Sequence, residues 1–441
     1  MKTNQKANPR KNHTHEGARA FSNLTAEQQL RRSVMSCLLF ENEFYEDGQS
    51  IADRIVEYAA KVDPEKLAEI AIEARHEYHL RHVPLLLLRV LAKTGAGRKD
   101  SLVSATIATV ISRADELSEF LALYWKNGKT PLSKQVKKGL ALAFRKFDEY
   151  QLSKYNRNAD IKLRDVLFLV HPKPDGEEKE KLWQRLADNT LKSADTWEVS
   201  LSTGKDKGET FTRLLREKKL GYMALLRNLR NMLEAGVDRD LIESALLFGN
   251  SERVLPFRFI AAARACPRME PVIDHALKLK LKDLEGFKGT TIFLVDVSGS
   301  MEYSLSARSD MSRMDAAAAL ASIFPVATKG ASSDVRVFTF SEALIEVPRR
   351  LGMAGIDVIV NSQKHFGTLL GKSIKEINKL PHDRLIVITD EQSHDTVPDL
   401  VAEKAYMVNV ASNKNGVGYG KWIHIDGFSE NVLKFMHEFE C

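Results

Sequence analysis

The sequence predicts an α + α/β protein: a long N-terminal run of helices, then a doubly wound α/β sheet. Three observations predict it. Thr291 to Met301 reads TIFLVDVSGSM, in which Ile292, Phe293, Leu294 and Val295 run unbroken and Val297 follows Asp296. A strand buried on both faces of a parallel sheet reads this way. From Thr25 onward, for roughly 240 residues, the apolar pattern is helical and strand-like segments are scarce. Past Gly286 the chain alternates short apolar runs with helical stretches.

At 441 residues, two or three domains are expected. A composition 44% apolar and 28% charged is that of a globular protein rather than a disordered one. No run of about 18 apolar residues predicts a membrane span. The N-terminus is polar and basic, without the apolar core of a secretory signal. Cys37, Cys266 and Cys441 lie far apart, so reduced thiols in a cytoplasmic setting are expected.

The net charge of +6 is unevenly placed. From Gly286 onward there are 16 Lys and Arg against 19 Asp and Glu, which leaves 49 against 40 before it. An anionic partner therefore belongs to the N-terminal region, and nucleic acid is the commonest such partner.

Residues 1–22 carry Lys2, Lys6, Arg10, Lys11, His13, His15 and Arg19 with few apolar residues. They read as a flexible basic arm. Thr25-Ala-Glu-Gln28 is a capping box, and Leu30, Val34, Cys37 and Leu38 mark the face that follows. Asp63-Pro64-Glu65 sets an N-cap, a first-turn proline and an acidic first turn in order. Further helices are expected near 50–61, 82–93, 100–113, 115–126, 131–148, 161–170, 178–192, 209–217, 221–234 and 238–248. Many short amphipathic helices joined by short loops predict a stack of helix pairs, although no repeat has a fixed signature.

One helix carries a functional signal. Over 131–148, Leu132, Val136, Leu140, Ala143, Phe144 and Phe147 share one side, while Lys134, Lys137, Lys138 and Arg145 share the other. A solvated face is usually mixed in sign, so four cations without a carboxylate favour anion binding. Lys154-Tyr155-Asn156-Arg157-Asn158 follows, leading to His171-Pro172-Lys173-Pro174. Lys and Arg supply charge to phosphates, Asn and His direct hydrogen bonds, and Tyr stacks an unpaired base. Residues 213–230 are basic again, with Arg213, Arg216, Lys218, Lys219, Arg227 and Arg230, and some of these are expected to be structural.

The composition shifts across 278–290, which contains Lys278, Lys280, Lys282, Gly286 and Gly289. The predicted organisation is an arm at 1–22, a helical domain at 23–285 and an α/β domain at 286–441. In the last, strands are expected at 291–297, 335–340, 384–389 and 405–410, with edges at 343–348 and 421–425. Helices are expected near 313–328, 368–379, 397–403 and 430–439.

Asp296, Ser298 and Ser300 follow the first strand, where ligands sit in open α/β sheets. They are hard oxygen donors, suited to Mg²⁺. The D-x-S-x-S string resembles the metal-ion-dependent adhesion site of von Willebrand factor A domains.

The whole chain resembles the Ro RNA-binding protein family, a TROVE domain followed by a von Willebrand factor A domain. The resemblance rests on Lys154-Tyr155, Asp165, His171 and Lys173-Pro174, then on Leu225-Leu226-Arg227-Asn228-Leu229 with Met232. Leu255-Pro256-Phe257, Thr389-Asp390, Gly427-Phe428 and Glu16-Gly17-Ala18 add to it. Val170 and Pro172 stand where the family has Ser and Leu around His171. The resemblance implies a HEAT-like helical-repeat ring closed by the A domain, with Lys154, Arg157 and His171 as RNA contacts. It implies a metal site at Asp296, Ser298, Ser300, Thr368 and Asp390, with both aspartates ending strands and Thr368 opening a helix. The implied ligands are noncoding RNA: Y RNA-like molecules, and structured or misfolded RNA with a single-stranded 3′ end. For a bacterial source it adds an exoribonuclease such as polynucleotide phosphorylase. A cytoplasmic monomer is expected. The alternative is a protein-interaction module acting through the metal.

Catalytic patterns fail. Gly367-Thr-Leu-Leu-Gly371-Lys372-Ser373 is one residue short of a phosphate loop. Gly416-Val-Gly-Tyr-Gly420 reads as a loop. His76, His79 and His82 step around a helix without forming H-E-x-x-H. The serines of D-x-S-x-S have no evident His partner in sequence, and no enzyme is expected.

Overall fold

A computed structural model describes residues 25–34, 48–156, 159–204, 206–252, 254, 256–281, 287–305, 311–327, 334–348, 350, 352–411 and 422–426, with single positions at 432, 436 and 440. The basic arm, Cys37, Leu38, Arg157, Leu255, the 416–420 loop, Gly427-Phe428, Cys441 and most of 430–439 lie outside the described residues. The chain divides into two compact units. One takes residues 26–34 and 52–220, and the other takes the chain from Gly221 onward together with residues 25 and 48–51 of those described, so that the first turn of α2 falls outside the first unit.

The first unit is built of helices: α1 (Ala26–Val34), α2 (Gly48–Ala59), α3 (Pro64–His76), α4 (His82–Thr94), α5 (Leu102–Val110), α6 (Asp115–Tyr124), α7 (Lys134–Phe144), α8 (Glu149–Tyr155), α9 (Leu163–Val170), α10 (Glu177–Ala187), α11 (Trp197–Ser202) and α12 (Lys207–Arg216). The expected start of α3 holds. Asp63 accepts the Glu65 N–H at 2.9 Å, and Pro64 fills the first turn, where its missing N–H leaves no hydrogen bond unmade. The helix expected over 131–148 is shorter, and a second helix begins just beyond that stretch. Ser133 caps α7 by accepting the Val136 N–H, and α7 stops at Phe144. Asp148 and Gln151 then form a reciprocal capping box that starts α8. Helix α7 lies close on α5 because Gly139 has no side chain. A Cβ there would stand 2.7 Å from Ile107 Cβ and 2.9 Å from the Ser104 carbonyl oxygen.

The second unit begins with α13 (Tyr222–Glu234), α14 (Arg239–Phe248), α15 (Pro256–Ala265) and α16 (Glu270–Leu281). Sheet residues follow: β1 (Thr291–Asp296), α17 (Arg313–Ala327), β2 (Val335–Phe340), β3 (Leu344–Val347), α18 (Met353–Val360), α19 (Leu370–Ile377), β4 (Arg384–Thr389), β5 (Lys404–Asn409) and β6 (Ile423–Asp426). Helices give way to strands near the composition shift, but α13–α16 group with the sheet. Arg264 of α15 pairs with Asp357 of α18 at 2.7 Å, and Asp274 of α16 accepts the Met353 N–H at 3.0 Å.

The strand order is β3-β2-β1-β4-β5-β6, parallel except for β2 against β3. The chain reverses direction across the sheet between β1 and β4, which makes that point the topological switch. Ile292 and Leu294 of β1 pack with Leu370, Ile374 and Ile377 of α19 on one face. Phe293 and Val295 point to the other face, as the two-residue period requires. The helix expected at 397–403 is absent. The segment is irregular because Pro398 lacks an N–H and disfavours helical geometry at Val397. Helix α18 was not legible, since MAGIDVIV is short, apolar and rich in β-branched residues. Helices α8, α11, α15 and α16 also went unassigned in the sequence.

Candidate nucleic-acid interface and metal site

Helix α7 presents the expected face. Lys134, Lys137 and Lys138 are exposed, and Val136, Leu140, Ala143 and Phe144 are buried behind them. These three lysines make no ion pair among the described residues. Arg145, the fourth cation of the expected stripe, caps the helix end and sits 3.5 Å from Asp175, with both side chains exposed. Lys146 is structural. Its ammonium donates to the Ile111 carbonyl at 2.8 Å and to that of Ala108, satisfying the C-terminus of α5, and burial lowers its pKa.

Lys154 lies on α8 and is exposed. His171 ends α9 in the left-handed region, at φ 45°, with its N–H on the Leu167 carbonyl and its side chain exposed. The lysines of α7, Lys154 and His171 therefore come from three successive helices. Of the later basic residues, Arg213 and Lys219 are tied to Asp195 and Glu217. They are the structural members foreseen for that stretch.

The second site lies at the switch point. Asp296 ends β1, Asp390 follows β4, and both are fully buried. Asp296 accepts the Ser298 N–H at 2.9 Å and the Thr389 hydroxyl at 2.6 Å. Ser298 and Ser300 hydroxyls stand 3.3 Å apart, and Asp390 accepts the Gln392 N–H at 3.2 Å. The Thr368 loop is stitched to both aspartate loops. Gly299 N–H donates to the Phe366 carbonyl at 3.1 Å, and His365 Nδ1 donates to the Val297 carbonyl at 2.8 Å. Thr368 N–H donates to His394 Nδ1 at 3.1 Å, and His394 N–H donates to the Thr368 carbonyl at 3.0 Å.

The five predicted donors thus lie on three loops held together by backbone and histidine hydrogen bonds. His365 and His394 were missed because nothing in their spacing links them to Asp296. Burial, and after it the Asp390 charge, raise the Asp296 carboxyl well above the ordinary carboxylate range, and hydrogen bonds from Ser298 and Thr389 oppose the rise. Two buried carboxylates and three hydroxyls offer only hard oxygens, with excess negative charge at the centre. That chemistry fits a divalent cation such as Mg²⁺.

Other patterns resolve as structure. The N-terminus of α19, which imitates a phosphate loop, is filled by Asp395: its carboxylate accepts the Gly371 and Lys372 N–H groups at 2.8 and 2.6 Å. His76 ends α3, His79 lies between helices and His82 opens α4, so they share no helix. Among the described residues no cluster of three His, Cys, Asp or Glu is placed to hold a metal. No described helix is long and apolar enough to cross a membrane.

Fold and site define a class: a helical-repeat protein carrying an A-type α/β domain with an oxygen-donor site at its switch point. Residues 188–280 match the family model described as the TROVE domain. Over 92% of this chain and 97% of the other, the fold is that of the Ro (RSR) protein of Deinococcus radiodurans, with a TM-score of 0.64 and 18% identity. Telomerase protein component 1 of Mus musculus is 32% identical over 110 residues, which is 24% of this chain and 4% of that protein. The Rattus norvegicus counterpart is 34% identical over 86 residues, 18% of this chain and 3% of the relative. The chain therefore spans only a few hundredths of the length of these curated relatives.

Proposed function

We propose that this chain is a non-catalytic RNA-binding protein whose helical unit holds noncoding RNA by its phosphates. The observation that carries the reading is the face of Lys134, Lys137 and Lys138, three cations with no ion pair among the described residues. Charges left unneutralised on one face attract a polyanion and release its counterions. The TROVE match and the Ro fold support the same reading. The finer proposal is a Y RNA-like or misfolded RNA with a single-stranded 3′ end. Lys154, Arg157 and His171 make the end contacts, in cytoplasmic RNA quality control. In a bacterial cell a monomer of this chain would work beside an exoribonuclease such as polynucleotide phosphorylase.

The test is affinity for a structured RNA with a single-stranded 3′ tail, across a salt series. It compares wild type, the triple change Lys154→Ala/Arg157→Ala/His171→Ala, and Asp296→Ala. Binding that falls steeply with salt and is weakened by the triple change alone supports the reading. Binding indifferent to salt sinks the phosphate mechanism.

A second reading rests on the Asp296 and Asp390 pair. A divalent cation held by Asp296, Ser298, Ser300, Thr368 and Asp390 would supply a Lewis-acidic point that takes a carboxylate of a partner protein. Loss of a captured partner with chelator or Asp296→Ala, with RNA affinity unchanged, is the result expected of that module.

A further inference from the structure

Four side chains of the helical unit alternate cation and ring. The Arg113 guanidinium lies 4.8 Å from the Tyr155 ring centroid. Lys154 Nζ lies 5.6 Å from the Tyr155 centroid and 5.7 Å from that of Tyr150. Tyr150 and Lys154 are four residues apart on α8, so they share one face of the helix. The frame beneath them is stiff. The Asp148 and Gln151 capping box fixes the helix start, and Arg185 grips Glu149 through hydrogen bonds of 3.2 and 2.9 Å. Arg113 is held by Asp115 at 3.1 and 2.8 Å.

Tyr150 is nonetheless 45% exposed, and Lys154 makes no ion pair among the described residues. A flat ring open to solvent beside an unneutralised ammonium matches the two halves of one nucleotide: a base with a π-face, and a phosphate.

We infer that Tyr150 and Lys154 form a site for one unpaired nucleotide of single-stranded RNA, the base on the Tyr150 ring and its phosphate on Lys154. The Tyr155 ring lies under the lysine. The inference rests on the RNA-binding reading above and deepens it by naming the ring that takes a base beside Lys154. Bases in a duplex stack on one another and offer no free face to the ring.

The experiment measures binding of a fluorescein-labelled uridine decamer and of a fully paired RNA hairpin, across a salt series. It uses the full chain as wild type, Tyr150→Ala, Tyr150→Phe and Lys154→Ala, with circular dichroism as the check on folding. A stacked base contributes enough that Tyr150→Ala should weaken decamer binding about 5- to 150-fold, with the hairpin unaffected and the salt slope unchanged. Tyr150→Phe keeps the ring and should bind the decamer like wild type. Lys154→Ala should reduce the decamer salt slope by about 0.7, the value for one phosphate on a single strand. If Tyr150→Ala binds the decamer like wild type, the nucleotide site is overturned while RNA binding stands. Equal weakening of decamer and hairpin also overturns it. If wild type binds neither RNA, the underlying reading falls with it.

Discussion

Arg75 of α3 and Glu116 of α6 form a 2.7 Å ion pair closed to water at both ends, with side chains 7% and 0% exposed. Arg75 also donates to the carbonyls of Val110 and Leu80 at 2.9 Å, and Glu116 accepts the N–H groups of Ser112 and Arg113. One pair therefore satisfies the end of α5, the α3–α4 turn and the start of α6. Removing one partner leaves the other charge buried alone. Arg75→Ala is expected to destabilise the protein by about 3–5 kcal/mol, read as a lower urea midpoint. Replacing both residues together with apolar ones of similar volume should cost less.

Gly139 gives a second stability test that runs against helix propensity. An alanine in mid-helix ordinarily gains about 1 kcal/mol over glycine. Here its Cβ would meet Ile107 and a backbone carbonyl below 3.0 Å, so α5 and α7 must separate. Gly139→Ala is expected to lower stability by about 1–3 kcal/mol in chemical denaturation.

On the proposed reading, the lysine face of α7 would set the salt dependence of RNA binding. Each phosphate contact to a duplex contributes about 0.9 to the slope of log affinity against log salt. The change Lys134→Gln/Lys137→Gln/Lys138→Gln should reduce that slope by about 2 to 3 for a structured RNA. Arg145→Gln should reduce it by less than one lysine change, since Asp175 lies 3.5 Å from that cation.

The carboxylates at the switch point predict a metal response. Magnesium should raise the melting temperature of the wild type, with about 2.7 kcal/mol gained when the ion stands at a hundred times its dissociation constant. Asp390→Asn removes a donor and half of the negative charge, and should abolish the shift. An equal shift in both proteins would show that the ion acts elsewhere.

Glu440 predicts the acid limb of stability. It accepts hydrogen bonds from Arg384 at 2.6 Å, Tyr406 at 2.8 Å and Lys404 at 3.1 Å. Burial pushes its carboxyl up, but the bonds from Arg384 and Tyr406 and the Arg384 charge outweigh this and hold it below the ordinary value. A depressed carboxyl stabilises the fold above its unfolded pKa, and that contribution is lost as pH falls through the folded one. Melting temperature should therefore drop as pH falls from the ordinary carboxylate range through the lower folded value, and Glu440→Gln should flatten that drop while lowering stability at pH 7.

Much of the sheet was legible because β1 and β4 are buried on both faces and read as unbroken apolar runs. The edges and the central strands fell within a residue or two of their expected places. The short helices α8 and α11 were not legible, since six or seven residues carry too few turns to show a period. The candidate oxygen donors were legible as types, because Asp296 ends β1 and Asp390 directly follows β4. The hydrogen bonds from His365 and His394 that draw their loops together were not, since they join residues far apart in the chain.

By itself the sequence determined the order of helices and strands, the uneven charge and the oxygen donors after β1. Those properties are local, set by periodicity, caps and residue type within a few positions. The tertiary structure alone decided which cations are spent. Lys134 and Arg145 look alike in the sequence, but only Arg145 meets a carboxylate, and Lys146 beside it caps another helix. Whether a charge is free depends on what the chain brings against it from 30 or more residues away.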